Sequence, residues 1–259
     1  MQTQSITTRG RGPCGGSVRP LLFGLFLLLA VGIFPRPSQA EEELVFAVGE
    51  WPPFVSELQI GYGTYAQKVV ETYKSAGYKV RLVFMPWQRA IAATKIGDFV
   101  ATFPWRRTKE RNRDFFMSER EVGPHIDVPF YDKTRFPEGL DGETLDDLIA
   151  AGYQFGGVRS YTITEILERK GAKLHIVSQA LNAWKMLDYG RIDIFVENVD
   201  VGMMESADFL GADRAADIAH TKPVTRETLH IAFSREHPLS PRLKEIWDSV
   251  EDASGDTVN

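Results

Sequence analysis

From Leu44 onward, short apolar runs alternate with stretches whose apolar residues recur every three or four positions. Leu44-Val45-Phe46-Ala47-Val48, ended by Gly49 and Trp51-Pro52-Pro53, predicts a buried strand running into a loop. Thr64 is placed to cap a helix with Tyr65, Ala66, Val69, Val70 and Tyr73 on one face and Gly77 at its end. Val80 to Met85 predicts a second strand, Trp87 to Lys95 a helix ended near Gly97, and Phe99 to Thr102 a third strand. Strands alternating with helices imply parallel pairing through crossover connections.

A second set of the same units follows an irregular stretch containing Pro124, Pro129 and Pro137. Asp141 or Thr144 starts a short helix through Ala150, Tyr153 to Val158 forms a strand, and Thr162 to Lys170 forms a helix closed by Gly171. Leu174 to Val177 is a strand and Ala180 to Tyr189 a helix stopped by Gly190. Ile192 to Val196 is a buried strand, followed by the polar cluster Glu197-Asn198-Val199-Asp200. A helix near Val201 to Leu210, a strand from Glu227 to Phe233 and a helix from Pro241 to Glu251 complete the pattern, with no internal repeat.

Before Leu44 the chain reads differently. Arg9, Arg11, Arg19 and Arg36 are the only charged residues of the first 40, and the uncharged run Leu21 to Phe34 leads to Ser38-Gln39-Ala40. This is the layout of a cleaved export signal, with cleavage after Ala40; the run is too short for the ~20 residues of a membrane span. The single cysteine, Cys14, lies inside that segment, so the mature chain of 219 out of 259 residues has no thiol. Disulfides, cysteine nucleophiles and thiolate metal sites are thereby excluded from it. Of 30 basic side chains four lie in the leader, leaving 26 against 35 acidic ones and a balance of −9. Without a basic stripe, this argues against nucleic acid as a partner.

The motif order resembles the periplasmic solute-binding proteins of the polar amino-acid class, extracellular solute-binding protein family 3. The residues that carry the resemblance are Trp51-Pro52-Pro53-Phe54, Gly97-Asp98-Phe99-Val100-Ala101, Thr108-Lys109-Glu110-Arg111 with Phe116-Met117-Ser118, Gly157-Val158 through Tyr161-Thr162, and Gly190-Arg191-Ile192-Asp193. The resemblance implies an α/β, two-lobed fold, each lobe a mostly parallel sheet flanked by helices, with two crossing strands placed at Pro124–Lys133 and Thr221–Thr228. The first lobe would comprise residues 41–128 and 222–259, the second 129–221. Members of that family usually continue past the position of Gly255-Asp256 with a further short helix, so a covering element of lobe one is expected to be lacking.

The resemblance also implies a ligand between the lobes. Arg111 matches the arginine that grips a ligand carboxylate through two parallel hydrogen bonds, the competing reading being a solvated helix arginine in the run Arg106 to Arg113. Trp51, Phe54 and Trp105 are candidates to stack on a ligand or to cover the core, with Thr102 and Arg106 beside them; Trp87 is assigned to the core. Tyr161 and Thr162 open a helix after a strand, where free N–H groups favour an anion and where Ser160 or Thr162 could also cap. In lobe two the family uses an Asp for the ligand's α-ammonium; here the position reads Asn198 beside Glu197, which demands that Glu197 or Asp200 turn inward if an α-amino acid is to bind. The extra Arg and Trp suggest an anionic or aromatic solute. His125, His175, His220, His230 and His237 show no metal-ligand spacing, and no cofactor is expected.

The function expected is non-enzymatic: a monomeric periplasmic protein that captures a small polar or anionic, amino-acid-like solute for an inner-membrane ABC-type permease. Two alternatives share the scaffold. One is a dehydratase-like enzyme in which Glu197 acts on a bound substrate, and the other a ligand-sensing module for a membrane receptor.

Overall fold

The computed structural model describes residues 42–159 and 161–250; the expected leader, residues 1–40, and Ser160 lie outside them. The first half runs β1 (Glu43–Val48), α1 (Thr64–Ser75), β2 (Lys79–Phe84), α2 (Trp87–Lys95), β3 (Ala101–Arg106), α3 (Lys109–Asp114), β4 (Phe115–Met117) and the ten-residue β5 (Gly123–Asp132). The chain continues through α4 (Leu145–Ala150), β6 (Gln154–Val158), α5 (Thr162–Arg169), β7 (Lys173–Val177), α6 (Ala180–Asp188), β8 (Ile194–Asn198), α7 (Val199–Leu210), α8 (Ala212–Ala215), β9 (Ile218–His220), β10 (Thr225–Ser234) and α9 (Ser240–Ser249).

The sheet order β2-β1-β3-β10-β5-β8-β6-β7 explains how two similar halves become one body. β1 pairs in parallel with β2 and β3, and β6 in parallel with β7 and β8, as the strand–helix–strand alternation requires. Between the two trios lie β10 and β5, antiparallel to each other and to their outer neighbours β3 and β8. These two long strands overlap the stretches expected to cross between lobes, β5 over Pro124–Asp132 and β10 over Thr225–Thr228. The described residues thus form a mixed α/β fold with mostly parallel strands flanked by helices.

Three local expectations need correction. Gly63, not Thr64, caps α1: its φ is 91°, and a Cβ there would sit 2.7 Å from the Phe54 backbone carbonyl, so the turn needs glycine. The third strand lies further along, at Ala101–Arg106, because its pairing with β10 extends to Leu229 opposite Arg106. The short pieces β4, α8 and β9 escape the periodicity argument, being three or four residues long. Thr144, by contrast, is the cap of α4; its hydroxyl accepts from the Asp147 N–H and the Asp147 carboxylate accepts from the Thr144 N–H, a reciprocal box.

Apolar burial is divided. One cluster gathers Phe46, Tyr73, Phe103, Phe233 and Trp247 around β1 and β10, with the Tyr73 hydroxyl donating to the Leu243 carbonyl at 3.0 Å. Others gather Phe130, Trp184 and Phe195, and Leu148, Phe155 and Leu167, on the two faces of the β8-β6 region. Phe130 of β5 is fully buried, edge-to-face with Trp184 at 5.2 Å. A Cβ on Gly202 of α7 would come within 2.2 Å of the Phe130 ring, so that glycine lets the helix approach the strand.

This contact makes a prediction. Phe130→Ala should cost ~3–5 kcal/mol and Gly202→Ala ~1–3 kcal/mol by overpacking. The double variant should cost less than their sum, because each change supplies the space the other lacks or fills. Urea denaturation of the four proteins checks it, and strict additivity would contradict the packing described.

Candidate functional site

A cleft of about 650 Å³ is lined by residues of both halves of the chain and of β5 and β10. The loop after β1 supplies Glu50, Trp51 and Pro52, and α2 begins with Trp87. β3 supplies Pro104, Trp105 and Arg106, α3 supplies Arg111, β5 supplies His125 and Asp127, and β10 supplies Leu229. The other wall is made by Tyr161, Thr162 and Ile163 at the start of α5, Glu197 of β8, and Val201, Met204 and Glu205 of α7.

The aromatic wall is locked by ring contacts. Trp87 and Trp105 meet edge-to-face at 5.5 Å, and Trp51 stacks on the His125 imidazole at 5.5 Å with 17° between the planes. Trp87 is therefore a half-buried wall residue, correcting its assignment to the core; its indole N–H donates to the Glu50 carbonyl at 3.3 Å. A Cβ on Gly49 would sit 2.3 Å from the Trp87 ring, so the glycine after β1 makes room for it.

Arg111 is half-buried, its guanidinium 4.8 Å from the Trp105 ring centroid and its Nη1 donating to the Arg106 carbonyl at 3.0 Å. Among the described residues it makes no ion pair. Burial pushes its pKa down and the Arg106 charge adds to this. Because guanidinium stays protonated at physiological pH, the consequence is a positive charge whose environment favours an incoming anion. Arg106 differs, since its Nε is already engaged by the Glu227 carboxylate.

The floor is acidic. Asp127 is 5% exposed; its Oδ1 is 2.8 Å from His125 Nε2, and its Oδ2 accepts from the Thr225 hydroxyl at 2.6 Å. Burial pushes its pKa up, but His125, Thr225 and Arg106 together outweigh that and hold the carboxyl below its ordinary value. Glu197, 7% exposed, has the opposite fate. Its Oε1 accepts from the Asn198 N–H at 2.8 Å, while Oε2 is buried with no partner. Desolvation, reinforced by Glu205 and Asp127, pushes its pKa up to about 8 against the single backbone bond that lowers it. Tyr161 is raised too, by burial and then by the Glu197 and Glu205 charges. Glu205 accepts from the Trp184 indole N–H at 2.8 Å and is likewise pushed upward, mainly by burial.

The cleft thus brings together Trp51, Trp105, Arg106, Arg111, Tyr161, Thr162 and Glu197 from the sequence-based candidates. Its lining does not include Phe54, Thr102 or Asn198. Phe54 is 4% exposed in the core, stacked on Tyr65 at 4.4 Å, and Thr102 is fully buried, accepting from the Trp105 indole N–H at 3.0 Å. Asn198 caps α7, its Oδ1 accepting from the N–H groups of Asp200 and Val201 at 3.1 and 3.3 Å. No side chain accepts at the Tyr161 cap of α5 among the described residues.

Sequence reasoning missed His125, Asp127 and Glu205. The first two stand two apart on a strand, hence on one face, and Val201, Met204 and Glu205 lie three and four apart on a helix, so each signal was present as spacing. Among the described residues no group of His, Cys, Asp and Glu is placed to hold a metal.

No family model matches the chain, and no curated protein matches its sequence. Similarity to solved structures is extensive in shape. The ligand-binding core of GluR0 from Nostoc punctiforme, in complex with L-glutamate, is 17% identical, with 78% of this chain and 90% of that one covered at a TM-score of 0.56. A Gly52Ala mutant of arginine-bound ArgBP from T. maritima is 17% identical over 80% and 93% of the two chains, with a TM-score of 0.56. The ancestral amino-acid-binding protein AncCDT-1, a precursor of cyclohexadienyl dehydratase, is 18% identical over 79% and 86%, with a TM-score of 0.55. These likenesses give the chain the periplasmic-binding-protein-like fold, in agreement with the resemblance of its motifs.

Glu197 carries a pH prediction. Its native pKa of about 8 exceeds the ordinary value near 4.5, so between those limits the native state holds a proton that the unfolded chain has lost. Stability from this group is full below the lower limit and is lost as pH rises through the upper one. Glu197→Gln should therefore gain on wild type by more than ~1 kcal/mol between about pH 5 and pH 9. Chemical denaturation across that range checks it; a constant difference would mean that Glu197 titrates normally.

Proposed function

We propose that the chain is an exported, monomeric solute-binding protein whose cleft captures a small polar solute through an anionic group and delivers it to an inner-membrane ABC-type permease. The observation that carries this reading is Arg111. A half-buried guanidinium backed by an indole, held by one backbone carbonyl and lacking a carboxylate partner, suits a planar anion bound by two parallel hydrogen bonds. Trp51, Trp87 and Trp105 offer apolar faces to the body of the solute, and the start of α5 at Tyr161-Thr162 adds a helix dipole. Residues 41–128 with 222–259 would form one lobe and 129–221 the other, closing by rotation about β5 and β10.

A second reading has its own observation. Glu197, buried and favouring its protonated form, is a neutral acid in a cleft and could donate a proton to a bound substrate, as an enzyme on this scaffold would require. Turnover of a cyclic dienyl acid abolished by Glu197→Gln would favour it over simple binding. A sensor role is distinguished by binding to a receptor rather than a permease; a histidine kinase sensor domain shares the fold at a TM-score of 0.58 and 16% identity.

Thermal-shift screening of the mature protein against amino acids, polyamines, dicarboxylates and aromatic acids identifies binders, because a ligand that binds only the native state raises its stability. Arg111→Ala should then weaken the best anionic or zwitterionic binder by ~30-fold or more, the ~2–5 kcal/mol cost of removing one partner of a buried charge pair. Arg113→Ala, an exposed arginine paired with Asp114 at 2.9 Å, should leave affinity near wild type. Calorimetry separates the two; equal, near-native affinities would remove Arg111 from the site.

A further inference from the structure

His125 stands on the cleft floor with one ring nitrogen engaged and the other free. Its Nε2 lies 2.8 Å from Asp127 Oδ1, and the other Asp127 oxygen accepts from the Thr225 hydroxyl at 2.6 Å. Burial alone would raise the Asp127 carboxyl, but His125, Thr225 and Arg106 outweigh it and keep an ionised group that can only accept. The proton of the contact therefore sits on Nε2. In the neutral ring this leaves a lone pair on Nδ1. No hydrogen bond to the protein reaches Nδ1 among the described residues, nor is it one of the buried atoms left without a partner. The side chain is 18% exposed and lines the cleft, so the free edge of the ring opens onto it.

Neighbouring rings fix the direction of that lone pair. Trp51 stacks on the imidazole with 17° between the planes. Tyr65 meets Trp51 edge-on at 6.3 Å and donates its hydroxyl proton to the carbonyl of Pro124, the residue before His125, at 2.5 Å. A Cβ on Gly123 would come within 2.4 Å of the Tyr65 ring, so glycine lets the start of β5 lie against it. Donors of the protein are used elsewhere: the Thr225 hydroxyl serves Asp127, and Arg106 serves Glu227, the residue facing His125 across the two strands. The donor for Nδ1 must come from outside the fold. Arg106, close enough to act on Asp127, and Arg111 in the same cleft both stand against a further cation there. A neutral donor fits without that conflict. We propose that His125 Nδ1 is a specificity-determining acceptor that reads a hydroxyl group on the solute whose anionic group Arg111 holds.

This role rests on the cleft being the solute site, and it narrows the solute to hydroxy acids. A guanidinium attracts any carboxylate, whereas a fixed acceptor tells apart two acids of similar shape by one hydroxyl.

The test is calorimetry at about pH 8, where an ordinary imidazole is neutral, with matched acids: L-malate against succinate, meta- and para-hydroxybenzoate against benzoate, and L-tyrosine against L-phenylalanine. At least one hydroxy acid should bind ~10-fold or more tightly than its counterpart without the hydroxyl. His125→Gln, which can still donate to Asp127 but lacks an acceptor at the Nδ1 position, should bring the two members of that pair together. His125→Asn, whose amide oxygen can take the Nδ1 position, should keep the preference although its contact with Asp127 is lost. A poorly folded variant weakens both members alike, so the ratio within a pair remains readable. Nitrogen NMR of the isotope-labelled free protein should show Nε2 protonated and Nδ1 bare. A proton on Nδ1, a preference untouched by His125→Gln, or equal affinities within every pair overturns the proposal. If the members of each pair bind equally and Arg111→Ala weakens both, the solute-binding reading stands and only the role of His125 falls. If no acid binds, both fall.

Discussion

The antiparallel register between Gly123–Asp132 and Thr225–Ser234 is the constraint on which the rest of the molecule depends. It sets Thr225 opposite Asp127 and Glu227 opposite His125, so the polar side chains of two long strands meet on one face. On the far edge of β5, Val128 stands opposite Glu197 and Asp127 opposite Asn198. A slip of one residue would turn His125 and Asp127 away from the cleft and disturb the burial of Phe130. Each parallel trio is attached to this pair, and neither trio by itself contains a complete set of cleft residues.

Charges in the cleft fall into two kinds. Arg106 with Glu227, and Asp127 with His125 and Thr225, are satisfied within the protein and hold the floor in shape. Arg111 and Glu197 are not satisfied by any ion pair, and burial disfavours the charged form of each. The two respond differently because guanidinium does not lose its proton in this range, whereas a carboxyl can keep one. The same physical cause, desolvation, therefore leaves a standing positive charge on one wall and a neutral acid on the other. That asymmetry is a property of the free protein, present before any solute arrives.

Rigid surroundings give these two groups their meaning. Arg111 leans on Trp105, which meets Trp87, and Trp87 fits against the backbone where Gly49 lacks a side chain. Glu197 is fixed by the strand it ends and by the N–H of the residue that caps the next helix. Preorganised groups lose less freedom when they bind, so affinity can come from few contacts.

The sequence by itself determined the alternation of strands and helices, because periodicity and glycine stops are local properties of the chain, while the choice of Thr144 over Asp141 as the α4 cap came from the structure. It also brought Trp51, Trp105 and the Tyr161 helix start to attention through residue type and position after strands, and Arg111 through the resemblance of its motif. Tertiary structure alone decided which of adjacent residues faces the cleft. Glu197 and Asn198 are both buried and polar at the end of one strand, yet one lines the cleft and the other caps α7. Phe54 turns into the core beside a Trp51 that lines the wall, and Trp87 does the reverse of what its hydrophobicity suggested. His125 and Asp127 become floor residues only through pairing with a strand about a hundred residues later. Side-chain direction at such positions is set by long-range register and by which neighbour leaves space, and neither is written in any short window of sequence.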